Sequence, residues 1–198
     1  MKKYSWLIVA LPLALAACNN EAGDSVDKAD SANEAKADIQ DTANNGATVI
    51  AADEESAEFM VAAADGGMME VELGRAAKEK ATHPRVKAFG DMMAMDHGKA
   101  NEELKALAAR KNVTLPAALS ENNQKHVTDM SKKSAKEFDK DYMGMMVDDH
   151  KDDIDKFEKA SKNSKDAEVK AFAEKTLPTL RAHLDSAKAI KDALDKRN

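Results

Sequence analysis

Apolar residues recur at spacings of three and four along four long stretches of the chain, and the positions between them are largely charged. This is the pattern of amphipathic helices with one face turned to a common core. The first stretch spans about 53–81, with Phe59, Ala63, Gly66, Glu70, Leu73 and Ala77 on one stripe and Asp53, Glu54 and Glu55 suiting its start. Gly66-Gly67 weakens its middle, where close packing or a kink is expected. The second stretch opens at Pro84 and runs to about 111, with Val86, Phe89, Met93, His97, Ala100, Leu104 and Leu107 inward. The third covers about 134–161, with Phe138, Tyr142, Met146, His150, Ile154 and Phe157 inward. The fourth covers about 165–196, with Val169, Phe172, Thr176, Leu180, His183, Ala187, Ile190 and Leu194 inward, and Pro178 is expected to kink it. The breaks at His83-Pro84 and Asn163-Ser164 are short enough to make antiparallel hairpins. Residues 112–133 differ in character, with short helical pieces expected from Leu115-Pro116 and Ser120-Glu121. Their length allows a crossing from one end to the other, so that the second and third helices run parallel. The predicted fold is all-α, a ferritin-like four-helix bundle with a short helical crossover between helices 2 and 3.

Two repeats support this arrangement. Residues 89–97 read FGDMMAMDH and residues 142–150 read YMGMMVDDH, sharing an aromatic start, a Met pair and an Asp-His end. Val86-Lys87-Ala88-Phe89 recurs as Val169-Lys170-Ala171-Phe172, and both copies open the second helix of a hairpin. The first repeat places Asp96-His97 and Asp149-His150 at matching points of two helices, on Met-rich apolar faces.

Composition adds an address. The formal net charge is −6, and binding nucleic acid requires a basic face that this chain lacks. Met1-Lys2-Lys3 is followed by an apolar run from Trp6 to Leu15, too short to span a membrane comfortably, and then by Leu15-Ala16-Ala17-Cys18. Residues 1–17 therefore read as a signal peptide. The ending resembles the bacterial lipobox, which implies that Cys18 becomes the lipidated first residue and anchors the protein to a membrane. Asn19 is not the Asp that holds bacterial lipoproteins at the inner membrane, so the resemblance implies an outer-membrane lipoprotein facing the periplasm. Residues 18–52 carry the lipidated Cys and a disordered acidic tether, in which 24–41 is expected to be transiently helical, and residues 53–198 form the bundle domain.

Val71-Glu72-Leu73-Gly74, Met93-x-x-Asp96-His97, Val113-x-Leu115-Pro116, Met146-x-x-Asp149-His150 and Leu177-Pro178-x-Leu180-Arg181-x-His183 together resemble the bacterial envelope proteins of domain-of-unknown-function family 4142. The resemblance covers roughly 55–194 and implies a ferritin-like bundle behind a signal peptide, with no settled activity. Asn112 departs from the pattern, which has Gly before the Val.

The chemistry concentrates on the inward histidines. His97, His150 and His183 each lie on a helix stripe, with Asp96 and Asp149 beside two of them and Glu70 or Glu72 as the nearest acid on the first helix. Converging imidazoles and carboxylates are ligands for a transition metal, copper or zinc before iron. The Glu-x-x-His motif of di-iron bundles is absent, since the residues three before each His are Lys80, Ala94, Asn123, Val147 and Leu180. Met93 and Met146 are candidate soft ligands for Cu(I), and equally serve as core fillers. Met95 and Met143, taken as exposed, suit reversible oxidation. A second arrangement accounts for the same residues without an ion: Asp-His pairs as a core hydrogen-bond network that fixes helix register, in a module that binds a protein partner elsewhere. The chain contains no Gly-x-Ser-x-Gly elbow and no Gly-rich phosphate loop, and its single cysteine is assigned to lipid, so no catalytic residue is predicted.

Overall fold

The computed structural model describes residues 23–42 and 52–196. Among the described residues there are six helices and no strand: α1 (Ser25–Thr42), α2 (Glu54–Lys80), α3 (Pro84–Arg110), α4 (Glu121–Lys132), α5 (Ala135–Asn163) and α6 (Ala167–Asp195). Each start has a local cause. Asp53 accepts the N–H of Ser56, Ser120 that of Asn123, and Asp166 those of Glu168 and Val169. Ser134 and Glu137 form a capping box at α5, while His83 caps α3 ahead of Pro84 at its first turn. α3 ends at Asn112, whose φ of 55° is left-handed. Val113 N–H then donates to Ala108 O at 2.9 Å and Asn112 N–H to Ala109 O at 3.4 Å, the two bonds of a Schellman turn. Asn tolerates this backbone well among non-glycine residues, which explains how it stands where the resemblance leads one to expect Gly.

The four long helices pack as two hairpins, α2 with α3 and α5 with α6, and the hairpins meet through α2–α5 and α3–α6 contacts. Asp139 in α5 accepts the N–H groups of Thr82 at 3.0 Å and His83 at 2.8 Å, which seats the α2–α3 turn on the start of α5. At the other end buried Lys111 binds Asp166 at 2.7 Å, joining the end of α3 to the start of α6. Ser56 and Ser164 hydroxyls meet there at 2.8 Å, joining the start of α2 to the end of α5. α3 and α5 therefore run parallel, an arrangement that the crossover length allows. The crossover holds one helix, α4, whose start is held by Asp65 through the Ser120 N–H and the Asn123 amide, both at 2.8 Å. The piece expected from Leu115-Pro116 is not helical.

Two expectations change. The acidic stretch marked as a tether contains α1, which is ordered and docked rather than transient. Asn33 exchanges two hydrogen bonds with the Thr114 backbone, at 2.7 and 3.0 Å, and Lys36 donates to Asn112 O and Thr114 Oγ1. The stretch is polar because α1 is attached by polar bonds, with Ala29 its one buried apolar residue among those whose side chains are described. α2 buries more than one stripe, adding Met60, Val61, Ala64, Met69 and Val71, because α1 and α4 cover its outer face. The signal-peptide and Cys18 readings fall outside the described residues.

α2 and α3 approach most closely at Gly74 and Gly90. A Cβ on Gly74 would lie 2.7 Å from Gly90 O, and one on Gly90 would lie 2.6 Å from the Ala77 Cβ. Gly98 and Gly144 have open space. Gly90→Ala is therefore expected to cost about 1–3 kcal/mol by forcing the helices apart. Gly98→Ala and Gly144→Ala should each gain roughly 0.5–1 kcal/mol from helix propensity. Denaturant unfolding of the three variants checks the contrast.

Candidate metal centre

Two apolar clusters divide the interior. One gathers Leu73, Phe89, Met93, Tyr142, Met143 and Met146, the other Met60, Leu104, Ile154, Phe157, Phe172 and Leu180. Along every long helix the residue between the two clusters is polar: Glu70 on α2, His97 on α3, His150 on α5 and His183 on α6. All four are buried, at 1, 6, 0 and 2% exposure. Helical periodicity alone carries them inward, because each lies three or four residues from apolar neighbours on the same stripe.

The three imidazoles converge, with ring centroids 5.3–5.6 Å apart. One ring nitrogen from each falls within a set whose members lie within 4.8 Å of one another. The outer side of each ring faces an acceptor. His97 Nδ1 lies 2.7 Å from Glu70 Oε2, and His150 Nδ1 lies 2.9 Å from the carbonyl of Met146, one turn earlier on its own helix. His183 Nε2 lies 3.0 Å from Asp96 Oδ2. A neutral imidazole has one N–H; given to these acceptors, it leaves a lone pair on the opposite nitrogen of each ring. His150 Nε2 and His183 Nδ1 face each other at 3.4 Å, and His97 Nε2 is buried without a partner.

Burial holds His97 and His150 neutral, their pKa values pushed down to about 4, and lowers that of His183 against the pull of Asp96. Burial also pushes the Glu70 carboxyl up to about 8, reinforced by the charge of Asp153. Asp149 is raised to about 7, again by burial first and then by Glu70.

The predicted residues thus divide. His97, His150 and His183 meet, with Glu70 and Asp96 behind them. Asp149, at the matching point of the repeat, bonds to none of the three histidines, and its Oδ2 is buried without a partner. Glu72 is exposed on the outer side of α2, two residues or about 200° around the helix from Glu70, and is no part of the centre. Met93 and Met146 lie in the apolar cluster beside the histidine layer. Met95 is 68% exposed, but Met143 is fully buried, because it shares the packed face of Tyr142 and Met146. Asn101 and Asp153 were missed, although they stand four residues after His97 and three after His150 on the same helix faces. Both line a small cavity beside His97 and His183.

An all-helical chain with a buried layer of three histidines is the class that fold and site define. The chain matches the family described as a domain of unknown function (DUF4142) over residues 40–190, and it belongs to that family. No curated protein matches it. Among solved structures it is similar to a DUF305 fragment from Deinococcus radiodurans, at TM-score 0.64 and 11% identity, covering 72% of this chain and 99% of that one. At that identity the likeness concerns the fold alone.

The raised Glu70 carboxyl has a measurable consequence. The folded chain holds a proton there up to about pH 8, whereas the unfolded chain releases it near the ordinary value of 4.5. Stability from this group is present at low pH and is lost as pH rises. Between pH 7 and 8 the metal-free protein should lose about 1 kcal/mol, and Glu70→Gln should remove most of that slope. Urea unfolding in chelator at the two pH values measures it.

Proposed function

We propose that the protein is an envelope lipoprotein whose helical body binds one divalent transition-metal ion, zinc or copper, at His97, His150 and His183. The supporting observation is that one ring nitrogen from each of three buried histidines lies within 4.8 Å of the others, each ring having an acceptor beside it. Metal-ligating histidines are generally oriented in this way by a carboxylate or a carbonyl. Two nitrogens tetrahedrally arranged around an ion at about 2.0–2.1 Å stand about 3.4 Å apart, the separation of His150 Nε2 and His183 Nδ1. The widest separation the set allows, 4.8 Å, exceeds the roughly 4.1 Å that two donors can span across one ion, so the rings close by up to about 1.4 Å to reach the tetrahedral spacing. Imidazole donors suit zinc, copper and nickel. An ion there favours the ionised form of Glu70, which accepts the His97 Nδ1–H as a carboxylate.

The helix directions fit a four-helix bundle of ferritin-like connectivity. No helix among the described residues is long and apolar enough to cross a membrane, and the lipobox-like ending supplies the proposed attachment through Cys18 at the periplasmic face of the outer membrane. The competing reading, a metal-free hydrogen-bond lock, accounts for the Glu70–His97 and Asp96–His183 contacts but leaves His97 Nε2 without a partner.

Titration of the full-length chain in detergent with Zn(II), Cu(II), Cu(I) and Fe(II) tests the proposal. One equivalent of Zn(II) or Cu(II) should bind, and His97→Ala/His150→Ala should abolish binding while retaining the helical circular dichroism. Glu70→Gln should weaken binding about 10–100-fold. No binding by the wild type, with a large stability loss in the double variant, would establish the hydrogen-bond lock instead. Radiolabelled palmitate should be incorporated by the wild type in a bacterial host and not by Cys18→Ala; equal labelling of both would remove the anchor.

A further inference from the structure

A groove on the flank of the α2–α3 hairpin has no role in the site described above. Its volume is about 870 Å³, within the roughly 300–1,000 Å³ of pockets that take small organic ligands. α2 and α3 form one side, where Ala64, Val71 and Ala108 are buried and Met68 is half-buried. The crossover forms the other, with Leu115 and Leu119 half-buried. The charged residues along it, Glu72, Arg75, Glu102 and Lys105, are all exposed. They are two acids and two bases, so the groove offers no net charge to attract an ion. A Cβ on Gly98, which also lines it, would meet nothing within 4 Å, so the groove is open on the α3 side. No described residue of α1 lines it. An apolar, uncharged surface groove of this size is matched by an apolar, uncharged occupant.

The start of the chain identifies that occupant. α1 begins at the edge of the groove: Ser25 Oγ accepts the N–H of Ala118, a lining residue, at 3.1 Å, and Asp24 accepts the N–H of Glu121 at 2.7 Å. Cys18 stands six residues before Asp24, within roughly 20 Å of it at full extension. The part of α2 that lines the groove, from Ala64 to Arg75, is about 16 Å long. A chain of methylene groups attached at Cys18 therefore reaches the apolar residues of the groove, and covering Met68, Leu115 and Leu119 removes apolar surface from water on both partners. We infer that the groove between α2, α3 and the crossover receives one acyl chain of the lipid on Cys18. The inference rests on the lipoprotein reading above and extends it: the lipid is shared between the bilayer and the helical body, which it holds by a second point besides the peptide.

The test uses the full-length chain made in a bacterial host fed a palmitate analogue that carries a diazirine and an alkyne. Ultraviolet light joins the analogue to whatever it touches, and mass spectrometry of the digested protein locates the join. Cross-links from the lipid of the Cys18 peptide to peptides containing Met68, Leu115 or Leu119 are expected. Gly98→Trp projects into the open space on the α3 side, and it should keep its lipid and lose these cross-links. Should Gly98→Trp fail to fold by circular dichroism, Ala117→Trp fills the groove from the crossover. An analogue that labels Cys18 yet joins only bilayer lipid or other faces of the protein overturns the inference and leaves the lipoprotein reading standing. Groove peptides joined to a phospholipid instead of the Cys18 peptide would show that the membrane supplies the occupant, and they overturn it as well. So do undiminished groove cross-links in a folded, filled variant. A chain that takes up no analogue at Cys18 removes the anchor and the inference together.

Discussion

The Glu70 carboxyl is withdrawn from bulk solvent, and most of the interior is arranged around that burial. A carboxyl group withdrawn from solvent either keeps its proton or finds a compensating positive charge. Glu70 sits on α2, the helix that touches α3, α5, α1 and α4, and it is 1% exposed. The imidazoles of α3 and α5 reach toward its two oxygens, at 2.7 and 3.5 Å. The third imidazole, from α6, closes the layer and is held from outside by Asp96. The two apolar clusters above and below supply the packing, while the polar layer between them fixes how the four helices stand in height relative to one another. A shift of one helix by a turn would place an imidazole in a purely apolar cluster with no acceptor.

Much of this layout is legible in the chain itself. Spacings of three and four locate the long helices to within a few residues, and the Met-x-x-Asp-His repeat marks the level at which the centre lies. His183 is legible as well, although it belongs to no copy of the repeat, because Leu180 and Ala187 place it on an inward stripe. What cannot be read is which member of each polar pair does what. Asp96 and Asp149 occupy equivalent positions in sequence, yet Asp96 reaches His183 across the α3–α6 contact, while Asp149 finds no histidine. The difference is tertiary: α3 and α5 have different neighbours on the flank where the aspartates project. Glu70 and Glu72 are likewise interchangeable by composition, and only the angle around α2 separates them.

α1 escapes a sequence reading for a different reason. Its composition is that of an unfolded segment, and by burial alone it would remain one. Its order comes from side-chain to backbone bonds with the crossover, centred on the left-handed turn at Asn112, and such bonds leave no periodic trace. The same turn accounts for Asn112 at a position where the resemblance leads one to expect Gly. Asn112 takes the backbone conformation that glycine takes there, and its carbonyl accepts from Lys36. A feature that looks like drift is in place, and it joins two parts of the chain 76 residues apart.

The docking of α1 also sets a length. A free tether over residues 19–52 would let the helical body roam on the order of 100 Å from an anchor at Cys18. With α1 fastened to the crossover, and Asp24 accepting the Glu121 N–H at the start of α4, the chain is fixed to the body at Asp24. Only the six peptide steps from Cys18 to Asp24 remain, a reach of roughly 20 Å at full extension. A protein lipidated at Cys18 would then rest against the bilayer with the crossover side toward the headgroups, and only release of α1 would let it extend. The polar bonds of one helix thus decide whether a lipid at Cys18 would hold the body on a long line or on a short one.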